Sequence, residues 1–195
     1  MKATDLILLK LGSLSATLSA NLNLILLFLG DFLPVADASD YLDLDPANGS
    51  HILIITAPYY RHIVDELEKG ATSTLAEFGA TSEAVSVGGA FEMPAAVMLA
   101  ASRRDGGKLF DGFITLGCVL RGETSHYDLI CQETARGLMD LTVNRGLAVG
   151  FGLLTCENEQ QALVRANVDQ KNKGREAALA CLGMIAMKRR FRGGL

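Results

Sequence analysis

An excess of charge of either sign is missing from this chain. Its 195 residues carry 18 Lys and Arg against 22 Asp and Glu, a formal net charge of −4. No domain-wide basic face invites nucleic acid. The one basic cluster, Lys188-Arg189-Arg190-Phe191-Arg192, closes a predicted helix, where positive charge suits the helix dipole and solvent. Paired cysteines are missing too. Cys118, Cys131, Cys156 and Cys181 form no CxxC pair and no zinc-like His/Cys spacing, so a zinc site is not expected. Scattered single thiols suit a reducing compartment, and a cytoplasmic location is expected. The usual ligand signatures of strand–helix proteins are also absent. No GxGxxG follows a strand, no GxxxxGK[ST] occurs, no Ser/Thr/Gly-rich phosphate loop follows the first strand, and there is no GxSxG elbow.

A long clean apolar span is nearly present at the N-terminus. The uncharged stretch from Leu11 to Gly30 has the length to cross a bilayer. Ser13, Ser15, Thr17, Ser19, Asn21 and Asn23 interrupt its first half, and Asp31 and Pro34 follow its compact apolar part. No small-x-small cleavage site follows closely. Three readings stay open: an unstructured extension, an export or membrane segment, and a stretch outside the true reading frame. Membrane contact is not expected. From Val35 to Ser50 the chain turns acidic, with Pro46 and Asn48-Gly49, and reads as a linker. Residues 1–48 are therefore expected to be an extension and residues 49–195 the domain.

What is there is a single domain's worth of alternating strands and helices, at 49% apolar content. His51–Ala57 is a β-branched run that stops before Pro58. Ile63, Val64, Leu67, Ala71, Leu75 and Phe78 then recur at helical spacing, and Gly79 marks the stop. Ala84–Val87 is a second short strand. Pro94 opens a helix that reaches about Arg104 and breaks at Asp105-Gly106-Gly107. Gly112–Leu116 is a third strand, followed by a helix over 127–145. Leu147–Leu154 is a fourth strand, and helices over 158–167 and 173–190 follow. Short connections between alternating elements predict an α/β fold, a parallel sheet covered on both faces.

Ligands of such folds bind at the carboxyl ends of the strands. The third strand runs into Gly117-Cys118-Val119-Leu120-Arg121-Gly122-Glu123-Thr124-Ser125-His126. Ser125 and Asp128 match the [ST]-x-x-[DE] helix-start signature. Backbone N–H groups at Glu123 and Thr124 then either hold an anion at the positive helix end or belong to an ordinary cap. His126 in the first turn is a candidate proton carrier, the alternative being a surface histidine. Cys118 is either packed or reactive. Tyr59 and Tyr60 offer an aromatic face for a flat ring or plain packing. Gly88-Gly89 permits close backbone approach. Glu92 either accepts hydrogen bonds from hydroxyls or serves a helix start. Arg165, on the helix predicted over 158–167, has the donor fork that grips phosphate, although most helical arginines are solvated.

Four ordered motifs resemble the lumazine synthase family: Gly89-Ala90-Phe91-Glu92-Met93-Pro94, Leu116–Tyr127, Phe151-Gly152-Leu153-Leu154-Thr155, and Asn172-Lys173-Gly174-Arg175-Glu176-Ala177-Ala178. The resemblance covers about Ile52 to Lys188. It implies a flavodoxin-like three-layer α/β/α sandwich assembled into pentamers or larger assemblies, with active sites at subunit interfaces. It also implies a transferase of riboflavin biosynthesis that uses no metal or organic cofactor. The implied reaction joins 5-amino-6-(D-ribitylamino)uracil to 3,4-dihydroxy-2-butanone 4-phosphate, giving 6,7-dimethyl-8-ribityllumazine and phosphate. By resemblance, His126 is the acid–base residue and Tyr59 stacks on the pyrimidine. Ala90, Phe91 and Glu92 bind the ribityl side, and Cys118, Val119 and Leu120 line the ring site. Glu123 and Thr124 offer phosphate contacts, while Phe151 and Arg165 come from the neighbouring subunit.

The chain departs from the family pattern in three places. Tyr59 stands where many members have Phe, which preserves stacking. Gly88 replaces a common proline. Residues 167–171 replace a more glycine-rich stretch associated with sixty-subunit capsids, so a pentamer or decamer is expected. The competing reading is an oligomer that holds flavin or lumazine with weak or no turnover.

Overall fold

The computed structural model describes residues 43–104 and 106–193. The N-terminal apolar stretch, with its three open readings, lies outside them. β1 (His51–Ala57), β2 (Thr81–Ser86), β3 (Gly112–Leu120) and β4 (Val149–Cys156) form a four-stranded sheet in the order β2-β1-β3-β4, with every pairing parallel. Parallel neighbours require crossovers, and these are α1 (Arg61–Glu77), α2 (Met93–Ala101) and α3 (His126–Arg145). α4 (Glu159–Ala166) and α5 (Lys173–Arg192) follow β4. The whole of β1 is buried, as a continuous apolar run at the sheet centre requires.

Strand alternation sorts the side chains into two cores. Ile52, Ile54, Ile114, Leu116 and Leu154 pack with Ile63 and Leu67 of α1, Ala162 of α4 and Leu179 and Leu182 of α5. Leu53, Ile55, Phe113 and Leu153 face the other way, toward Met93 and Val97 of α2 and Leu138 of α3. The result is the expected flavodoxin-like three-layer sandwich. Leu44 and Ala47, upstream of the boundary expected at residues 48 and 49, are buried in the first of these cores.

Local sequence sets the ends of the helices. Gly79 after α1 and Gly146 after α3 take positive φ, at 69° and 62°, the left-handed turn that glycine enters without penalty. Asn158 caps α4 by accepting from the Gln161 N–H (3.0 Å), and Asn172 caps α5 by accepting from the Arg175 N–H (3.1 Å). Gly150 and Gly152 on β4 let α5 lie close: a Cβ at Gly150 would run into the Ala177 carbonyl. The basic end of α5 is tied down locally, with Lys188 donating to the Gly146 carbonyl and Arg189 to Asp111.

Several boundaries differ from expectation. β3 continues to Leu120 instead of stopping at Leu116, because β4 pairs with it as far as Leu120↔Cys156. Cys118, Val119 and Leu120 are therefore strand residues. β2 begins at Thr81 and not Ala84. It is an edge strand with mostly exposed side chains, so its polar start is defined by pairing with β1 and leaves no apolar signal. β4 begins two residues late, since Leu147 still caps the preceding connection through Leu141. α2 ends at Ala101, short of the expected Arg104.

Candidate active site

Four chain segments converge at the carboxyl ends of β1, β2 and β3 and enclose a cavity of about 520 Å³, in the range of small-molecule sites. Behind β1, a single 3-10 turn over Pro58–Tyr60 presents Tyr59, which is 80% exposed. Tyr60 lies edge-on beneath it, with ring centroids 5.0 Å apart. Behind β2, Gly88 and Gly89 lead into a 3-10 turn over Ala90–Glu92. Phe91 and Glu92 are exposed there. The Ala90 carbonyl accepts a hydrogen bond from the buried Thr134 hydroxyl of α3 (3.2 Å). The tail of β3 contributes Cys118, Val119 and Leu120, and the loop beyond it contributes Gly122, Thr124 and His126. Of the residues expected at this site, Glu123 alone sits in the loop without lining the cavity. Tyr60, Tyr127 and Ile130 also line it. Tyr60's adjacency to Tyr59 was the only sequence sign of this.

The loop from β3 to α3 is held differently from the expected capping box. Ser125 occupies the N-cap position, but its side chain makes no cap hydrogen bond. The Thr124 hydroxyl instead accepts from the His126 N–H (3.4 Å). Asp128, the other half of the expected box, is taken by Arg121. The guanidinium donates from Nη1 and Nη2 to both Asp128 oxygens (3.1 and 2.9 Å) and from Nε to Glu157 (2.9 Å). Its Cζ lies 4.1 Å from the centre of the Tyr127 ring. A bidentate charged partner outcompetes the Ser125 backbone N–H for the carboxylate. Arg121 holds the Asp128 carboxyl below the usual carboxylate range. Among the described residues, nothing accepts from the backbone N–H groups of Gly122, Glu123 and Thr124. They stand at the positive end of a 20-residue helix.

Cys118 is 6% exposed. Burial, reinforced by neighbouring Cys156 and Glu159, pushes its thiol up to about 12. It is a packed neutral wall, since the thiolate is the reactive form. Burial also raises Tyr60, and it raises Tyr127 despite a hydrogen bond with Thr155.

Phe151 and Arg165 are elsewhere in the same chain. They line a second cavity of about 350 Å³ along β4, together with Thr155, Lys173 and Glu176. Arg165 donates to the Gln161 carbonyl (3.0 Å) one turn back, and Lys173 pairs with Glu176. Among the described residues, no Arg or Lys lines the first cavity, and no His lines the second.

A parallel α/β sandwich with a histidine, an exposed tyrosine and an open helix start gathered at its strand ends has the framework of many α/β enzymes. Its relatives make the assignment specific. The family model for 6,7-dimethyl-8-ribityllumazine synthase matches residues 49–189, and the chain belongs to that family. It is 48% identical over 141 residues to the 6,7-dimethyl-8-ribityllumazine synthase of Bartonella tribocorum, covering 72% of this chain and 91% of the relative. The corresponding protein of Sphingopyxis alaskensis is 49% identical over 142 residues, covering 73% and 97%. 6,7-Dimethyl-8-ribityllumazine synthase 1 of Rhizobium meliloti is 48% identical over 142 residues, covering 72% and 93%. Among the described residues, no helix is long and apolar enough to cross a membrane.

Proposed function

We propose that this chain condenses 5-amino-6-(D-ribitylamino)uracil with 3,4-dihydroxy-2-butanone 4-phosphate to 6,7-dimethyl-8-ribityllumazine, the penultimate step of riboflavin biosynthesis. The observation that carries the site assignment is the gathering of Tyr59, residues 90–92, residues 118–120, Thr124 and His126 around one cavity. Tyr59 stacks on the pyrimidine. Ala90, Phe91 and Glu92 take the ribityl chain, with Glu92 accepting from its hydroxyls, and Cys118, Val119 and Leu120 wall the ring. The backbone N–H groups of Glu123 and Thr124 receive the phosphate at the start of α3.

The chemistry moves a proton at every stage. The amine adds to the ketone, water leaves, phosphate is eliminated and the ring closes. One imidazole serves each transfer in turn, and His126 is that group. The remaining acceleration comes from holding two substrates in register, which a stacked ring and an anchored phosphate provide.

Phe151 and Arg165 complete the site from a neighbouring copy. The separation of the two cavities supports this: one has the proton carrier without a cation, and the other has cations without a histidine. The exposed Leu129, Met139 and Val143 of α3 are suited to burial between copies. The chain assembles as a pentamer or decamer. The α4–α5 connection is a hydrogen-bonded turn in which the Val168 N–H donates to Glu66 (3.2 Å), unlike a flexible glycine-rich link. The four free cysteines suit a cytoplasmic location. Residues 49–195 supply the catalytic domain, together with the short segment upstream that buries Leu44 and Ala47 in its core. The test is an assay with both substrates that follows the lumazine product, using wild type and His126→Ala. A well-folded, assembled wild type that yields no product contradicts the proposal.

A further inference from the structure

Arg121 is the most heavily engaged side chain near the first cavity, yet it does not line that cavity. Its backbone N–H extends the β3–β4 ladder by one bond, donating to the Cys156 carbonyl (3.0 Å). Its side chain reaches forward to Asp128 in the first turn of α3 and sideways to Glu157 just past β4. It also covers the ring of Tyr127, whose buried phenol is hydrogen-bonded with Thr155 of β4. One guanidinium thus joins the end of β3, the end of β4 and the start of α3. Between its two anchor points lie only residues 122–127, which include the open N–H groups and His126.

Resting on the function proposed above, we infer that Arg121 is a positioning residue. It fixes the loop over 122–125 and the first turn of α3, so that the phosphate-receiving N–H groups and the His126 imidazole meet their substrates together. Exposed ion pairs add little to global stability, so the effect of this one is local geometry. The planar fork matters more than the charge, because three donor directions are used at once. An ammonium group cannot reproduce them.

The direct alternative is that Arg121 itself grips the phosphate with its remaining donors. The two roles separate at Asp128. If Arg121 positions the loop, Asp128→Asn weakens the fork and acts in the same direction as Arg121→Gln. If Arg121 binds phosphate, Asp128→Asn frees the guanidinium and leaves the phosphate substrate bound as well or better.

Steady-state kinetics on the full chain, varying each substrate in turn, decides between them. For Arg121→Gln and Arg121→Lys, the KM for the butanone phosphate rises roughly 10- to 100-fold with a fall in kcat. The KM for the pyrimidine stays unchanged. Asp128→Asn gives the same pattern at smaller size. Unchanged kinetics in Arg121→Gln overturns the inference, as does rescue by Arg121→Lys or an Asp128→Asn variant with unimpaired phosphate dependence. Equal losses for both substrates together with lost assembly also overturn it, leaving a purely structural role. A wild type that turns over while these variants behave as wild type sinks only this inference. A wild type without turnover sinks the condensation and this inference with it.

Discussion

The two cavities of this chain differ in kind. The one at the ends of β1, β2 and β3 has an exposed tyrosine, a glutamate, a histidine and an open helix start, but no Arg or Lys. The one along β4 has Arg165, Lys173 and the exposed Phe151, but no histidine. The condensation needs a proton carrier, a stacking face and charge on a phosphate in one place. Neither cavity supplies all of these. On the proposed reading, the difference makes the folded chain a carrier of two half-sites. Activity would then belong to the assembly, coupling turnover to oligomerisation.

The sharpest way to break this division is at His126. Its loss removes the proposed general acid–base group, and turnover is expected to fall by about 10²- to 10⁴-fold in a single-turnover assay, with assembly intact. The Arg165→Ala variant strikes the other half. Its KM for the butanone phosphate rises roughly 10- to 100-fold, the value of a lost charge-assisted hydrogen bond, while its KM for the pyrimidine stays near wild type. Gly150→Ala sharpens the comparison by disturbing only the second cavity, through its lining residue Ala177. A methyl there meets the Ala177 carbonyl and pushes α5, which carries Lys173 and Glu176, off the sheet. Overpacking of this kind costs about 1–3 kcal/mol, read as a lower Tm. The accompanying kinetic change falls on the phosphate substrate. Cys118 gives the smallest effect. Its thiol is pushed up to about 12, so it stays neutral across the working pH range. Alkylation at Cys118 at neutral pH is slower than at an unburied thiol and speeds up as the pH rises. Cys118→Ala retains turnover within about threefold.

How much of this was legible in the sequence depends on the range of the interactions involved. Local signals were reliable. The apolar run 51–57, the helical spacing from Ile63 to Leu75 and the turn glycines Gly79 and Gly146 all mark elements that form where the pattern puts them. Strand ends that depend on a neighbour were not. β3 extends through Leu120 because β4 reaches Cys156 beside it, and β2 starts on polar residues because its side chains face outward. The same limit applied in the site. Residues from four segments were expected together, and all of them except Glu123 line one cavity. The helix start at Ser125 was read correctly, but its side-chain bonds were not, because Asp128's actual partner, Arg121, lies seven residues back. Spacing within a helix start carries no information about a side chain arriving from the preceding strand. The division into two half-sites was suggested only by family resemblance. Nothing in the local chemistry of Phe151 or Arg165 says which copy's histidine they serve.

The most direct test of that division is complementation between two defective chains. His126→Ala and Arg165→Ala chains are expressed together, and the mixed assemblies are purified and assayed for lumazine formation. If the site is shared, some interfaces join an intact His126 from one chain to an intact Arg165 from the other. The mixture then exceeds the activity of either homogeneous variant severalfold. If both residues act within one chain, every site carries one defect, and the mixed assemblies do no better than the average of the two variants.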